Sequence, residues 1–178
     1  MTSALQEWED HYRPLLGRRL MSLSFMPLTS SDTPQVVEAL KTSPIWFSGA
    51  VRLDFEGADP TYLTWTAALD GYQLAPFADI TPQWHSFTLD TIHASFEGPW
   101  EDLRDRMLEG VGVFTMPDIP DQSAVAAEFR LSSEGAATRS LWIGTSHEDQ
   151  PCDGDDLIVS VDTAPTGSEP LVGLGLVQ

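Results

Sequence analysis

The chain has 178 residues, of which 42% are hydrophobic and 20% are charged. This length suits one domain, and the apolar residues are numerous enough to build a core, so wholesale disorder is excluded. Acidic residues outnumber basic residues 27 to 9, which gives a formal net charge of -18. Phosphate backbones and anionic lipid repel such a charge, so we expect neither nucleic acid nor a membrane as a partner.

Cysteine content and targeting signals indicate the compartment. The single cysteine, Cys152, cannot form an internal disulfide, so no oxidising compartment is implied. The first ten residues contain neither a basic cluster nor an apolar run. No uncharged stretch approaches the roughly 20 residues that a membrane span needs. We therefore expect a cytoplasmic protein.

The first part of the chain alternates helical and strand patterns. An apolar helical face includes Trp8, and Pro14 ends or kinks this helix because proline has no amide hydrogen. The segment Leu20–Met26 then alternates apolar and polar residues, as a half-buried strand does. A second short helix is predicted to start at Thr33 and to stop before Pro44.

The middle of the chain is predicted to be rich in strands. The segments Val51–Phe55 and Tyr62–Thr66 both alternate, and the turn Gly57-Ala58-Asp59-Pro60 between them predicts a β-hairpin. Glycine and proline residues indicate a long connection over 70–83. The segment His85–His93 alternates again and is predicted to form a strand.

A further helix and several strands are predicted in the second half. The helix has Trp100, Leu103 and Met107 on its apolar face and ends at Gly110. The sequence Gly144-Thr145-Ser146-His147 is expected to form a turn. The predicted strands are Val111–Thr115, Ala124–Leu131, Arg139–Gly144 and Asp156–Val161.

These elements predict an α+β fold with a mainly antiparallel sheet of about six or seven strands and short helices packed on one side. We assign 1–162 to a single domain and 163–178 to a C-terminal tail, whose apolar end can attach to a sheet edge. The apolar residues expected in the core are Trp8, Leu16, Phe25, Leu53, Phe55, Trp65, Trp100, Leu103, Phe129 and Leu141.

The order helix, strand, hairpin occurs twice, over 3–68 and over 98–145, and both segments contain the tripeptide Trp-Glu-Asp. We interpret this order as an internal repeat of one unit. The repeat places Trp8 and Trp100 at equivalent positions. The alternative is chance, because a tripeptide match is expected in a chain of this length and because helices that dock on sheets commonly begin with a large aromatic residue.

Common catalytic motifs are missing from the sequence, which contains no G-x-S-x-G, Walker A, G-x-G-x-x-G or H-E-x-x-H pattern. His85 and His93 would lie about 26 Å apart on an extended strand, too far to share a metal. Ser146 and His147 are adjacent, so on a strand they point to opposite faces. His11 is expected on the solvated side of its helix. We therefore expect no cofactor, no metal and no catalytic residues.

Two runs of acidic residues are the densest in the chain, Glu97–Glu109 and Glu148–Asp156. The first is expected on the solvent side of the predicted helix and the second in a turn, so both are expected to be exposed. The second does not match the spacing of a calcium loop. The candidate binding residues in these two runs are Glu101, Asp102, Asp105, Glu109, Glu148, Asp149, Asp153, Asp155 and Asp156.

The charge, the missing motifs and the surplus of Trp and Tyr favour a non-enzymatic acidic protein-binding module of the immunity or antitoxin type, engaging a basic protein partner. The alternative is a small hydrolase or ligand-binding enzyme with a site in a cleft between the two repeats. For the charge itself the simplest explanation is solubility.

Overall fold

A computed structural model describes residues 4–28, 33–68, 71–81, 90–94, 98–119, 123–147, 150–151, 156–167 and 170–178. The helices are α1 (Ala4–Tyr12), α2 (Thr33–Ala39) and two 3₁₀ helices, η1 (Arg13–Leu15) and η2 (Gly98–Leu103). The strands of the first half are β1 (Leu20–Pro27), β2 (Ile45–Phe47), β3 (Gly49–Phe55), β4 (Thr61–Ala68), β5 (Gly71–Phe77) and β6 (Ile92–His93). Those of the second half are β7 (Met107–Thr115), β8 (Ala126–Ser132), β9 (Arg139–His147), β10 (Gln150–Pro151), β11 (Asp156–Val161) and β12 (Val172–Val177).

The described strands form two sheets in which neighbouring strands are antiparallel. The first sheet has five strands in the order β5-β4-β3-β1-β6. The second has seven, in the order β12-β7-β8-β9-β11-β2, with β10 paired to the end of β9. The predicted α+β class, with a mainly antiparallel sheet and short helices, is confirmed. The strands divide between two sheets instead of forming one. The repeat hypothesis expected β1 and β7 to share a sheet, and they do not.

The hairpin β3–β4 is present where the sequence predicts it, with Leu53 opposite Thr61. Its alternation is that of a strand with one covered face, because Val51 and Leu53 are buried while Arg52 between them is only half-buried. Gly57 in the turn has a φ of 65°, a left-handed conformation that glycine adopts without a steric penalty.

The sequence pattern misses β5, which lies in the segment predicted to be a connection. The strand tolerates Pro76 because of the direction of its amides. The Leu74 amide donates to the Ala124 carbonyl at 2.7 Å, on the side away from β4. Pro76 is two residues further along, so its nitrogen points to that same side and no hydrogen bond to β4 is lost.

One hydrophobic cluster joins the two sheets, and the helices contribute to it. Tyr12 at the end of α1 packs against Phe129 of the second sheet with 5.1 Å between ring centroids. Trp100 of η2 packs against Phe25 of the first sheet at 5.4 Å. The core prediction is confirmed: all ten predicted residues belong to this cluster, eight of them buried and Leu16 and Trp65 partly buried against it.

The two sheets are also joined through the backbone, at the start of β1 and the start of β7. Arg19 and Met107 form an antiparallel bridge there. Its four flanking hydrogen bonds, of 2.8–2.9 Å, run from Gly17 N to Leu108 O, from Leu20 N to Arg106 O, from Asp105 N to Leu20 O and from Leu108 N to Arg18 O.

The two ends of the chain lie on the second sheet. The C-terminal segment ends in β12, which pairs with β7 at the sheet edge and places Val177 opposite Val111. The helix α1 packs over this strand, because a Cβ added at Gly175 would lie 2.5 Å from Leu5 Cδ2. The bend ahead of β1 agrees with the sequence, since α1 ends at Tyr12 and Pro14 lies within η1.

Substitution of Gly49 tests the close approach of β3 to the end of β1. Gly49 has a φ of 150°, and a Cβ at this position would collide with the Met26 carbonyl oxygen, a backbone atom that cannot swing aside. We expect Gly49→Ala to lower the free energy of unfolding by at least about 2 kcal/mol. Urea unfolding followed by tryptophan fluorescence measures the change.

The matched control is Gly173→Ala in β12, where a Cβ would meet no atom within 4 Å. We expect this variant to stay within about 0.5 kcal/mol of the parent chain. Equal stabilities of the two variants would contradict the packing described for Gly49.

Candidate protein-binding surface

The first acidic run begins on η2, where burial repeats every three residues as a 3₁₀ helix imposes. Trp100 and Leu103 are fully buried, whereas Glu101 and Asp102 between them are exposed. The indole Nε1 of Trp100 donates to the Leu40 carbonyl at 2.8 Å. This anchor holds η2 against the core and leaves the two carboxylates in water.

The helical segment is shorter than the sequence predicts. The prediction of one helix to Gly110 is wrong, because η2 ends at Leu103 and β7 starts at Met107. Asp105 between them has a φ of 61°, a left-handed conformation that aspartate tolerates and that a right-handed helix cannot continue through. Met107, predicted on the buried face, is 37% exposed. Glu109 therefore projects into solvent from a strand and not from a helix.

The turn between η2 and β7 is held by Arg106, which sequence reasoning missed. Its side chain is buried, so its donors need acceptors inside the protein. Nε donates to the Asp102 carbonyl, and Nη1 donates to the Ala137 carbonyl at 2.7 Å. No local sequence pattern signals this role.

Two of the four carboxylates in this segment are paired with arginine. Arg139 reaches Asp102 and Asp162, each at 2.5 Å, and so bridges η2 to the residue that follows β11. Arg104 lies 3.8 Å from Asp105, and both side chains are exposed. Exposed pairs of this kind contribute little to stability. We name the exposed residues Glu101, Asp102, Asp105 and Glu109 the η2–β7 surface.

Of the candidate acids in the second run, Asp156 alone is among the described residues. Glu148, Asp149, Asp153 and Asp155 fall outside the described residues, as do His85 and Cys152. Asp156 is half-buried at the start of β11, opposite Ser146, so the expectation that it is exposed in a turn is wrong. Arg139, which holds Asp102, is at the other end of β9, seven residues or about 23 Å away along the strand. The structure therefore does not bring Asp156 together with the η2–β7 surface, whereas it brings Asp162 close to it.

Two hydroxyl–imidazole pairs occur among the described residues. His11 is half-buried and hydrogen-bonded to the Thr61 hydroxyl, so the expectation of a solvated His11 is wrong. Tyr12 contacts the same hydroxyl at 3.3 Å, and burial raises the pKa of Tyr12 well above its ordinary value. His93 is exposed at the edge of the first sheet, and its Nδ1 lies 2.9 Å from the buried Ser24 hydroxyl.

Neither hydroxyl is accessible enough to act as a nucleophile beside its histidine. Thr61 is 2% exposed and Ser24 is fully buried, so no substrate atom can reach either hydroxyl. The expected turn at residues 144–147 is also wrong, because β9 continues to His147: Thr145 pairs with Leu157 and Ser146 with Asp156. The hydroxyls of Thr61 and Ser24 therefore belong to strands and bind side chains of neighbouring elements, His11 of α1 and His93 of β6.

Within the ranges that the structure covers, no group of three or more His, Cys, Asp or Glu side chains is arranged to hold a metal ion. None of the described helices is long and apolar enough to cross a membrane. Comparisons with protein-family models, with curated proteins and with solved structures find no match to this chain. Its function is therefore argued from the surface itself.

The buried pair of His11 and Thr61 predicts a pH dependence of stability. Burial lowers the pKa of His11 below 6.5, so the unfolded chain binds a proton more readily than the folded chain does. The contribution of neutral His11 is complete above about pH 6.5 and is lost as the pH falls below that value.

We expect His11→Gln to reduce this loss, because glutamine can bind Thr61 and does not titrate. Urea unfolding from about pH 7.5 to about pH 5 should show a smaller decrease in stability for the variant than for the parent chain. Parallel pH profiles for the two chains would show that protonation of His11 is not opposed by the fold.

Proposed function

We propose that this chain is a non-enzymatic acidic protein-binding module of the immunity or antitoxin type, which engages a basic protein partner through the η2–β7 surface. The observation that carries the proposal is the exposure of Glu101 and Glu109, which form no ion pair with any described residue. They stand beside Asp102 and Asp105 on a segment that Trp100 fixes to the core. Exposed carboxylates of this kind attract a basic partner and favour its correct orientation.

The use of arginine supports the proposal. Arg106 binds backbone carbonyls inside the protein, and Arg52 and Arg130 pair with carboxylates two residues away, at 2.7 and 3.1 Å. These cations are bound to nearby carbonyls or carboxylates, and the net charge of -18 sets the potential around the molecule. A field of one sign accelerates encounter with an oppositely charged protein and falls with ionic strength.

The alternative, a hydrolase with a site between two repeated units, has less support. The described side chains between the two sheets form one hydrophobic cluster. The hydroxyl of Thr61, which is the one nearest to His11, is shielded from solvent. A general base and a nucleophile need access to substrate, which the described residues do not offer here.

The proposal also includes a cytoplasmic location and an internal repeat. The lone cysteine fits a reducing compartment. The repeat is supported by the order of the strands. The first sheet, read toward its edge strand β6, has the order β5-β4-β3-β1-β6. The second sheet, read toward its edge strand β12 and without β2 at its other end, has the order β11-β9-β8-β7-β12, which matches strand by strand.

A charge-reversal experiment tests the binding proposal. Affinity capture from a lysate of the native host, with identification by mass spectrometry, supplies the basic partner. We expect the double variant Glu101→Lys/Glu109→Lys to slow association with that partner by about tenfold at low salt, because steering acts mainly on the association rate. Stopped-flow fluorescence measures this rate, and added salt should reduce the difference.

The control is Glu38→Lys/Asp118→Lys, which makes the same change in net charge at two other exposed acids, on α2 and in the turn after β7. We expect a clearly smaller effect from it. Equal slowing by both variants would assign steering to net charge and contradict the η2–β7 surface. An association rate indifferent to the variants and to salt would leave the charge as a device for solubility.

A further inference from the structure

We infer that the chain is a fused, strand-exchanged dimer of two equivalent units, related by a twofold axis that passes between Arg19 and Met107. This inference develops the internal repeat and does not depend on the proposed binding of a basic partner. The bridge between these residues equates position 19 with position 107, an offset of 88. The rotation then exchanges Leu20 with Leu108. It also exchanges the hydrogen bond from the Leu20 amide to the Arg106 carbonyl with the one from the Leu108 amide to the Arg18 carbonyl. Any antiparallel pair has this symmetry locally, so the inference depends on how far the equivalence extends.

The residues just before the bridge follow the same offset. Gly17 and Asp105 both have left-handed backbones, with φ values of 79° and 61°. Arg18 and Arg106, which come next, make the same contacts. The Nε of each donates to the carbonyl four residues earlier, at Pro14 in one unit and Asp102 in the other.

The other end of each guanidinium reaches a hairpin turn of its own unit. Nη1 of Arg18 donates to the Gly57 carbonyl at 2.9 Å, in the turn between β3 and β4. Nη1 of Arg106 donates to the Ala137 carbonyl at 2.7 Å, in the turn between β8 and β9. The two clamps therefore tie corresponding parts of the two units.

The equivalence continues into the helices. The 3₁₀ helices η1 and η2 end at Leu15 and Leu103, which are both buried and 88 residues apart. Tyr12 corresponds to Trp100, and both rings are fully buried. Trp8 is therefore not the counterpart of Trp100, and the shared Trp-Glu-Asp tripeptide lies four residues out of register.

The strand register repeats as well, including its irregularity. The pairing of β1 with β3 shifts between Leu20 and Ser22, and the pairing of β7 with β8 shifts between Leu108 and Gly110. These shifts fall at the same positions under the offset of 88. A register shift is a specific local feature of a strand pair, so its recurrence at the equivalent place favours common descent over convergent packing.

Each unit makes a backbone contact with the sheet of the other, through the strand β2 in one direction and through one hydrogen bond in the other. Phe47 in β2, just before β3, pairs with Leu157 in β11 of the second unit. Ala124, just before β8, accepts a hydrogen bond from Leu74 in β5 of the first unit. The pairing of β3, β4 and β5 matches that of β8, β9 and β11, so Trp65 corresponds to Thr145. Leu74 lies opposite Trp65 and Leu157 lies opposite Thr145, so Leu74 and Leu157 are equivalent. This reciprocal exchange is the arrangement of a swapped dimer.

The equivalence predicts how the ends of the chain relate. The strand β6 pairs with β1 and is followed by η2; the corresponding strand β12 pairs with β7 and ends the chain. Because η1 corresponds to η2, the segment that leads into η1 should lie near the end of β12. The contact between Leu5 and Gly175 places α1, which precedes η1, beside β12.

A circular permutant tests the inference. The chain is opened after Ala94, and Gln178 is joined to Met1 by a short Gly-Ser linker, so that the second unit precedes the first and both stay intact. The reference permutant carries the same linker but is opened after Gly135, inside the hairpin β8–β9. We expect the first to melt within about 3 °C of the parent chain and the reference to melt at least about 5 °C lower. A first permutant that melts no higher than the reference would overturn the inference.

Amide hydrogen exchange of the unmodified chain tests the twofold relation independently of whether the permutants fold. The Leu20 and Leu108 amides should be protected to a similar degree, within about tenfold, because they make equivalent hydrogen bonds. The same should hold outside the bridge for the amides of Ala94 and Val177, which lie opposite Leu23 and Val111, two residues separated by the offset of 88. Free exchange of one member of a pair beside strong protection of the other would contradict the twofold relation.

Discussion

The structure depends on the short antiparallel junction at which Arg19 meets Met107. From this bridge β1 runs into one sheet and β7 into the other, so four backbone hydrogen bonds position every strand that follows. The chain must turn sharply just before each of these strands. The left-handed backbones of Gly17 and Asp105 make those turns, and Arg18 and Arg106 hold them by binding carbonyls that would otherwise lack a donor.

Sequence patterns predict local burial well and long-range pairing poorly. The alternation in Val51–Phe55 reports which face of β3 is covered, because neighbouring residues on a strand point to opposite faces. It does not report which sheet the strand joins, and one sheet was expected where there are two. The strand β5 is missed because Pro76 discourages a strand unless the direction of its nitrogen is known, and that direction depends on Ala124, about 50 residues away.

On the candidate surface, too, sequence predicts local burial but not long-range contacts. Trp100 and Leu103 predict that Glu101 and Asp102 are exposed, since burial of one side of a short helix leaves the other in water. The end of that helix depends on Arg106, whose acceptor at Ala137 lies in a distant hairpin. The pairing of Asp102 with Arg139 likewise requires β9 to pass beside η2. For η2, sequence therefore predicts that the acids are exposed but not which cations lie beside them.

The arginines connect the architecture with the charge. A buried guanidinium such as that of Arg106 needs several acceptors in a fixed plane, which lysine's single ammonium cannot match, and this accounts for clamps built from arginine. The acceptors of such a clamp are backbone carbonyls, so its arginine is held by hydrogen bonds without being paired to a carboxylate. An acidic chain can thus use its few cations to hold turns and keep acids such as Glu101 and Glu109 exposed on its surface. Stability at the junction and negative charge at the surface are therefore compatible in one small domain.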